Sequence, residues 1–256
     1  MNTRIYAAAL AALVLLGGLP ATAADRSVTP TGYVRNYTGA FVRDDYDLAA
    51  VRNTLNLVLE RRFGRAGFRV NPVLYHDAPM ELELGLREAY LDIALQSFDF
   101  RIGKQQIIWG KGEGVFITDI VSPKDMREFL LPDFEEIRIG VTALRADYYL
   151  GMNTFELVLV PVFTPTRLPE PDSPWRITPE FPVKPVVDSS EIDVPLRVSN
   201  GEVFAKYSLM TPVVDLELMG GYFWDDDPTM HVTRAVDPAT RQVQSITVTP
   251  RNHRLA

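Results

Sequence analysis

The feature that most constrains this chain is that apolar and polar side chains alternate, residue by residue, over segments of roughly ten residues. Successive side chains of a β-strand point to opposite faces of the sheet, so each such segment predicts a strand with one apolar and one polar face. The strands predicted in this way lie near 32–42, 51–60, 83–95, 98–109, 142–150, 154–163, 202–210, 213–224 and 243–249.

The connections between these segments alternate between short and long. The short ones fall at 96–97, 151–153 and 211–212, and the long ones at 110–141, 164–201 and 225–242. Antiparallel barrels of the bacterial outer membrane have this asymmetry, with tight periplasmic turns and longer extracellular loops. The sequence therefore predicts an all-β, antiparallel transmembrane β-barrel whose N-terminus and 61–67 turn are periplasmic. A half-buried sheet in a soluble protein has the same residue alternation and remains an alternative.

The N-terminus predicts export. Met1–Ala23 has a basic residue, a short apolar run and a closing Ala21-Thr22-Ala23, which is typical of a signal peptide and its cleavage site. The apolar run is too short to cross a bilayer as a helix. We expect a signal peptide at 1–23, a barrel domain at 24–256 and localisation in the bacterial outer membrane.

Composition and motifs exclude several other classes of protein. The net charge of −7 with no basic patch argues against a nucleic-acid partner, and the absence of cysteine excludes disulfides. No nucleophile–base motif points to an enzyme, and no cofactor is implied. His76, His231 and His253 are isolated in the sequence, which argues against a transition-metal site. The acidic run 225–227 is interpreted as a solvated turn rather than a calcium site.

Two irregularities in the alternation carry structural predictions. The leucines at 82–86 occupy even positions, whereas the apolar residues at 89–93 occupy odd ones, so we expect a β-bulge between Gly85 and Glu88. Segment 154–163 is apolar on both faces, so we expect it to lie behind a loop rather than to face open water.

The long segment 110–141 is the one most expected to set selectivity. Ser122 as N-cap, Pro123 in the first turn and Pro132 as terminator predict a short amphipathic helix within it. Such a helix needs an apolar surface, which the interior wall of a barrel supplies if the segment folds inward. An external cap that packs on neighbouring loops is the alternative.

Inward folding would place charged side chains of the segment near a constriction, together with polar residues of the strands. The segment carries four basic and seven acidic residues, which favours a transverse field and small polar solutes over strong ion selection. The predicted pore-lining and constriction residues are Arg101, Lys111, Asp119, Arg127, Arg138, Arg145 and Asp147.

Several motifs carry a resemblance to a known family. They are Leu86-Arg-Glu-Ala-Tyr-Leu-Asp-Ile93, Phe100-Arg-Ile-Gly-Lys-Gln-Gln-Ile-Ile-Trp-Gly-Lys111, Thr118-Asp-Ile-Val-Ser-Pro-Lys-Asp125 and Arg127-Glu-Phe-Leu-Leu-Pro132. Over roughly 80–170 the chain resembles a porin-like family of bacterial outer-membrane barrels, largely of unknown function. In general porins the loop after the fifth strand folds into the lumen, which is the position of 110–141 here. The resemblance implies a diffusion channel but supplies no substrate and no catalytic residues.

The resemblance also implies partners, and the C-terminus departs from it. We expect outer-membrane lipid, a small polar solute, the barrel insertion machinery and, as in porins, a homotrimer. Nine or ten strands fit the mature length without an evident closing strand or terminal aromatic residue, so we expect the N-terminal portion of a larger barrel. The leading function is a passive or weakly selective outer-membrane channel. An exported soluble β-rich protein that binds a ligand under 110–141 is the alternative, and a barrel-scaffolded enzyme is a third.

Overall fold

The computed structural model describes residues 28–256 except 41, 43–47, 78–80, 111, 113–115, 129–132, 170–172, 174, 177–180, 189–193 and 196. The predicted signal peptide lies outside the described residues. Strands dominate the described part, and its only helical segments are α1 (Phe134–Ile137) and a 3₁₀ turn at Val198–Asn200. Among these residues no helix has the length and apolar character needed to cross a membrane.

Ten strands form one antiparallel sheet, which confirms the predicted all-β antiparallel fold class. Their order in the sheet follows their order in the chain, and the three strands missing from the series form a second sheet. The strands are β1 (Thr29–Ala40), β2 (Leu48–Phe63), β3 (Ala66–Asp77), β4 (Glu81–Ala94), β5 (Phe98–Gln105), β6 (Val141–Leu150), β7 (Asn153–Val160), β9 (Glu202–Met210), β10 (Asp215–Trp224) and β13 (Arg254–Leu255). In the described residues β1 and β13 do not pair with each other, so this sheet is open.

A smaller sheet is formed by β8 (Val186–Val187), β11 (Thr229–Val236) and β12 (Val243–Arg251). β12 pairs with β11 antiparallel and with β8 parallel. β11 lies entirely in a region predicted to be a loop. Met230 and Val232 alternate with polar residues along it, but the alternation is short and all side chains of the strand are exposed.

The ten-stranded sheet has two chemically different faces. One cross-strand row joins Leu91, Ile102, Leu144, Leu159 and Val203 on five neighbouring strands. We call the face with this apolar row the outer face; its Leu91 side chain is 54% exposed. The opposite, inner face has an adjacent row that begins with Asp92, Arg101 and Arg145 and continues with Val158 and Phe204. The predicted alternation of apolar and polar faces is confirmed for β4, β5 and β6.

The predicted β-bulge lies on β4. Asn71 pairs with Glu88 and Pro72 pairs with Leu86, so Arg87 is the extra residue in the ladder. The bulge keeps the leucines before it and the apolar residues after it on the outer face, although they differ in sequence parity.

The inner face contacts the described residues of the range 106–140, which we call the inner segment. Tyr33 on β1 and Arg87 on β4 belong to strands that are not neighbours, yet both contact Glu136 of this segment. At the other side of the sheet, Met219 and Phe223 on β10 pack against the apolar cluster that the segment forms. The segment therefore contacts the inner face from its first strand to β10.

An aromatic row lies on the outer face near the short turns. Phe98, Tyr148, Phe155 and Tyr207 are cross-strand neighbours on β5, β6, β7 and β9. Their successive ring centroids are 4.6, 6.3 and 5.1 Å apart. Aromatic pairs in this range are attractive and stabilise the pairing of the strands.

Candidate functional site

The first part of the inner segment is fixed to the sheet by apolar packing. Ile107, Trp109 and Val121 are buried against inner-face residues. The Trp109 ring meets Phe204 edge-on at 6.2 Å, and its Nε1 donates to Glu156 at 2.8 Å. The inner-face residues in this cluster are Val141, Ala143, Val158, Val160 and Phe204.

This packing explains why β7 is apolar on both faces. Val158 and Val160 are buried beneath the inner segment, while Leu157 and Leu159 are exposed on the outer face. The prediction that this strand lies behind a loop is confirmed.

An internal ion pair closes the inner segment on itself. The side chains of Asp119 and Arg138 are 1% and 8% exposed, and Arg138 Nε donates to Asp119 Oδ2 at 2.9 Å. Asp119 Oδ1 also accepts the backbone N–H groups of Trp109 and Gly110, at 2.8 and 2.6 Å. Both charged residues were predicted to project into a channel. Instead they are buried inside the segment, because a carboxylate with four hydrogen bonds and a guanidinium partner is stable away from water.

The predicted helix at 122–131 is wrong over the residues that the structure describes. The Ser122 hydroxyl accepts the Ile107 N–H at 2.8 Å, and the Pro123 carbonyl accepts the Ile139 N–H at 2.7 Å. Lys124 forms a β-bridge with Arg138 instead of a helical turn. The groups that would begin the helix are used in tertiary contacts, and the short helix α1 follows Asp133 instead.

A first charged cluster, the long-loop cluster, joins the second part of the segment to β1, β2 and β4. Glu136 binds Arg35 and Tyr33 and forms an ion pair with Arg87 at 3.1 Å. Glu128 binds Arg52. A pocket of about 210 Å³ lies among these groups. It is lined by Arg35, Tyr37, Arg52, Thr54, Tyr75, Asp125, Arg127, Glu128 and Glu136.

The pKa values of Glu128 and Glu136 in this cluster are shifted in opposite directions. Burial raises the pKa of Glu128 above its ordinary value, and the neighbouring Arg52 offsets only part of that effect. Burial also acts on Glu136, but hydrogen bonds from Tyr33 and Arg35 outweigh it and hold its pKa below the ordinary value. Glu136 is therefore the more firmly ionised anchor of the segment.

Arg127 extends the long-loop cluster toward β4. Its guanidinium pairs with Asp125 at 2.8 Å and with Glu83 at 3.2 Å. It lines the 210 Å³ pocket and a second cavity of about 270 Å³ near the bulge of β4.

A second charged cluster, the short-turn cluster, lies at the opposite end of the inner face. Arg101 binds Asp92 through two nitrogens, at 2.7 and 3.2 Å. Arg145 pairs with Asp147 at 3.1 Å and with Glu156 at 3.2 Å. Asp92, Arg101, Arg145 and Asp147 border a pocket of about 230 Å³.

The structure thus divides the predicted constriction residues into separate groups. Arg101, Arg145 and Asp147 come together in the short-turn cluster, and Arg127 belongs to the long-loop cluster. Asp119 and Arg138 are buried between them, and Lys111 lies outside the described residues. Sequence reasoning missed Arg35, Arg52, Arg87, Glu136 and Glu156, the arginines and carboxylates that bind across the inner face. Glu136 lies on α1 and the other four lie on strands, and no pattern in the sequence indicated their partners.

The aromatic residues near the strand ends do not all lie on the outer face. Tyr148 lies in the outer aromatic row, whereas Tyr149 points inward and donates to Asp99 at 2.9 Å. Tyr33, on the inner face, binds the inner segment, and Trp109, in the inner segment, packs on the inner face. Their hydrogen-bonding groups find carboxylate partners there, which an apolar outer surface does not offer.

Two of the histidines are not isolated in space. The Nε2 atoms of His231 and His253 are 3.1 Å apart, although the residues are far apart in sequence. The predicted isolation is wrong for this pair. His76 lies elsewhere, with its Nδ1 3.2 Å from the Asn53 amide nitrogen. Among the described residues no group of three His, Cys, Asp or Glu side chains is placed to hold a metal.

The acidic run forms a turn in which Asp225 Oδ1 accepts the Asp227 N–H at 3.2 Å. Burial, followed by repulsion from Glu202, raises the pKa of Asp226 to about 8. The Asp226 carbonyl accepts the Thr166 N–H at 3.1 Å, so this carboxyl lies where two long connections meet.

Comparisons with known proteins identify a family but no characterised relative. No curated protein and no solved structure matches the chain. The sequence model described as "Protein of unknown function (DUF1302)" matches residues 60–230, which is more than half of the chain. The chain therefore belongs to the DUF1302 family of proteins of unknown function.

Proposed function

We propose that this protein is part of the wall of an outer-membrane β-barrel that passes small polar solutes by passive or weakly selective diffusion. The inner segment narrows the path, and the two charged clusters border it. No catalytic step is involved.

The observation that carries the proposal is the contrast between the two faces of the ten-stranded sheet. Large apolar side chains on the outer face are exposed, whereas the long inner segment packs on the opposite face, which carries both the charged clusters and an apolar cluster. A soluble protein would gain most by covering its apolar face, because burying apolar surface is the main driving force of folding. A chain that leaves this face open is suited to a lipid solvent, with water and the inner segment on the other side.

The aromatic row supports the same arrangement. Phe98, Tyr148, Phe155 and Tyr207 lie side by side on the outer face near the short turns. Outer-membrane barrels have aromatic girdles at the levels where the wall meets the headgroups. The row would then mark the periplasmic interface.

The charged clusters favour dipolar or uncharged polar solutes. In the long-loop cluster charges of both signs are paired, as in Glu136–Arg35, Glu128–Arg52 and Arg127–Glu83. Paired charges of both signs beside a narrow path leave little net potential along it. Weak ion preference follows.

A closed channel needs partners beyond the described sheet. The edges β1 and β13 must be joined by further strands, because unpaired backbone in lipid costs several kcal/mol per group. The barrel insertion machinery, outer-membrane lipid and a homotrimer belong to this proposal. The alternative is a soluble protein that binds a ligand beneath the inner segment. The open sheet and the pocket of the long-loop cluster are the observations that support it.

Conductance in planar bilayers tests the proposal. In a full-length homologue that closes the barrel, deletion of the segment equivalent to 112–138 should raise single-channel conductance. The equivalent of Trp109→Ala should raise it less, because Trp109 holds the segment through Glu156 and Phe204. Tyr148→Ala is the matched control, since it removes a ring from the outer face and leaves the segment in place. Inserted protein whose conductance is unchanged by the deletion would refute the narrowing role. Full extraction from cells without detergent would favour the soluble alternative.

A further inference from the structure

We propose that His231 and His253 form a two-histidine binding site for a borderline divalent transition metal ion such as Zn²⁺, Cu²⁺ or Ni²⁺. The site is separate from the inner face and goes beyond the proposed channel function. Imidazole nitrogens are preferred ligands of these ions.

The geometry of the two rings matches a shared metal ligand set. Their Nε2 atoms are 3.1 Å apart and their ring centroids 5.3 Å apart. With Zn–N bonds of about 2.0–2.1 Å, two ligands of a tetrahedral zinc ion lie about 3.3–3.4 Å from each other. A shift of a few tenths of an ångström in the exposed rings therefore admits the ion.

The backbones that present the two imidazoles are fixed by hydrogen bonds. His231 lies on β11 and pairs with Thr249 of β12. The carbonyl of His253 accepts the Asp225 N–H at 2.7 Å, and the next residue, Arg254, pairs with Trp224. Little conformational entropy is lost when a ligand binds such an arrangement.

A metal ion at this position would connect the two sheets. His231 belongs to the three-stranded sheet, and His253 directly precedes β13 of the ten-stranded sheet. Because the ion binds only when both elements are in place, it stabilises their docking by mass action. Water would complete the coordination, since no third protein ligand is placed there among the described residues.

Calorimetric titration of Zn²⁺ into the detergent-solubilised protein, purified without a histidine tag, tests the site. We expect one equivalent of Zn²⁺ to bind to the wild type and to His76→Gln. The His76→Gln variant is the control, because it removes a histidine that lies away from the His231–His253 pair. His231→Gln and His253→Gln should each weaken binding by tenfold or more. Equal affinity in all four proteins, or no binding at millimolar Zn²⁺, would overturn the proposal.

Electron paramagnetic resonance with Cu²⁺ separates a shared site from two independent histidines. Nitrogen superhyperfine structure from two imidazoles is expected in the wild type and from one in either variant. Both histidines are exposed, so the variants should keep the wild-type circular dichroism spectrum and channel conductance. A one-nitrogen signal in the wild type would mean that the contact is only a hydrogen bond between the rings. Failure of this site would leave the conductance test of the channel unaffected.

Discussion

At Gly103 on β5 the backbone φ is 129°, and an added Cβ would lie 2.3 Å from the Ala89 carbonyl oxygen. Only glycine adopts such a conformation readily, and only glycine lets β4 and β5 approach this closely. The position therefore fixes the pairing of two strands that carry Asp92 and Arg101 to the inner face.

Gly103→Ala should destabilise the sheet by about 1–3 kcal/mol from backbone strain alone, with the clash in addition. Gly220→Ala on β10 is the matched control, because a Cβ there meets no atom within 4 Å. The free energy of unfolding in urea, measured in lipid vesicles, compares the two. Equal stability of both variants would show that the close approach of β4 and β5 is not needed.

A second prediction at this scale concerns the protonation of Asp226. Its pKa rises from 3.8 in the unfolded chain to about 8 in the folded one, first by burial and then by repulsion from Glu202. The folded state therefore binds more protons between these values, and stability around this carboxyl falls as the pH rises from about 4 to 8.

Amide exchange at Thr166, whose N–H donates to the Asp226 carbonyl, reports this stability. After correction for intrinsic exchange rates, protection should be greater at pH 5 than at pH 8. Asp226→Asn should remove the difference, because the amide does not titrate. A pH dependence that survives in this variant would assign the effect to another group.

At the scale of elements, the inner segment is stabilised by a buried ion pair as well as by Trp109. Asp119→Asn leaves the Arg138 charge buried without its anionic partner, which costs about 3–5 kcal/mol in comparable sites. Asp133→Asn is the control, since its side chain is 79% exposed and surface pairs contribute about 0–1 kcal/mol.

Urea unfolding followed by tryptophan fluorescence measures both variants. The Asp119→Asn protein should lose the segment's packing at a lower urea concentration than the wild type, with Asp133→Asn close to the wild type. If both variants lost the segment's packing at the same urea concentration as the wild type, the buried ion pair would not be what stabilises the segment.

Most strand positions and faces were predictable from the sequence, whereas β3, β11 and the conformation of the inner segment were not. Alternation fixes which side chains share a face, so the bulge at 85–88 and the ends of β6 and β9 could be predicted closely. β5 ends at Gln105 rather than near 109 because the Ile107 N–H bonds to Ser122 instead of to a neighbouring strand. The same contact removes the helix cap, and no local pattern reveals such tertiary competition.

At the scale of the whole molecule, the proposed channel requires lipid on the outer face of the sheet. Leu91→Arg should therefore destabilise the protein by about 2–4 kcal/mol if the site lies near the bilayer midplane. Asn53→Arg, on the same face but toward the long-loop end of β2, should cost about 0–1 kcal/mol, as expected near an interface. Unfolding equilibria in lipid vesicles give both values, and equal costs would mean that depth in a bilayer does not govern this face.

The most direct measurement of the central claim is the accessibility of spin labels along β4. The chain has no cysteine, so single substitutions at Tyr90, Leu91, Asp92 and Ile93 each give one labelled site. In lipid vesicles, labels at 91 and 93 should collide mainly with oxygen dissolved in the bilayer. Labels at 90 and 92 should collide mainly with a water-soluble nickel chelate. Equal exposure of all four labels to the chelate would contradict the assignment of the outer face to lipid.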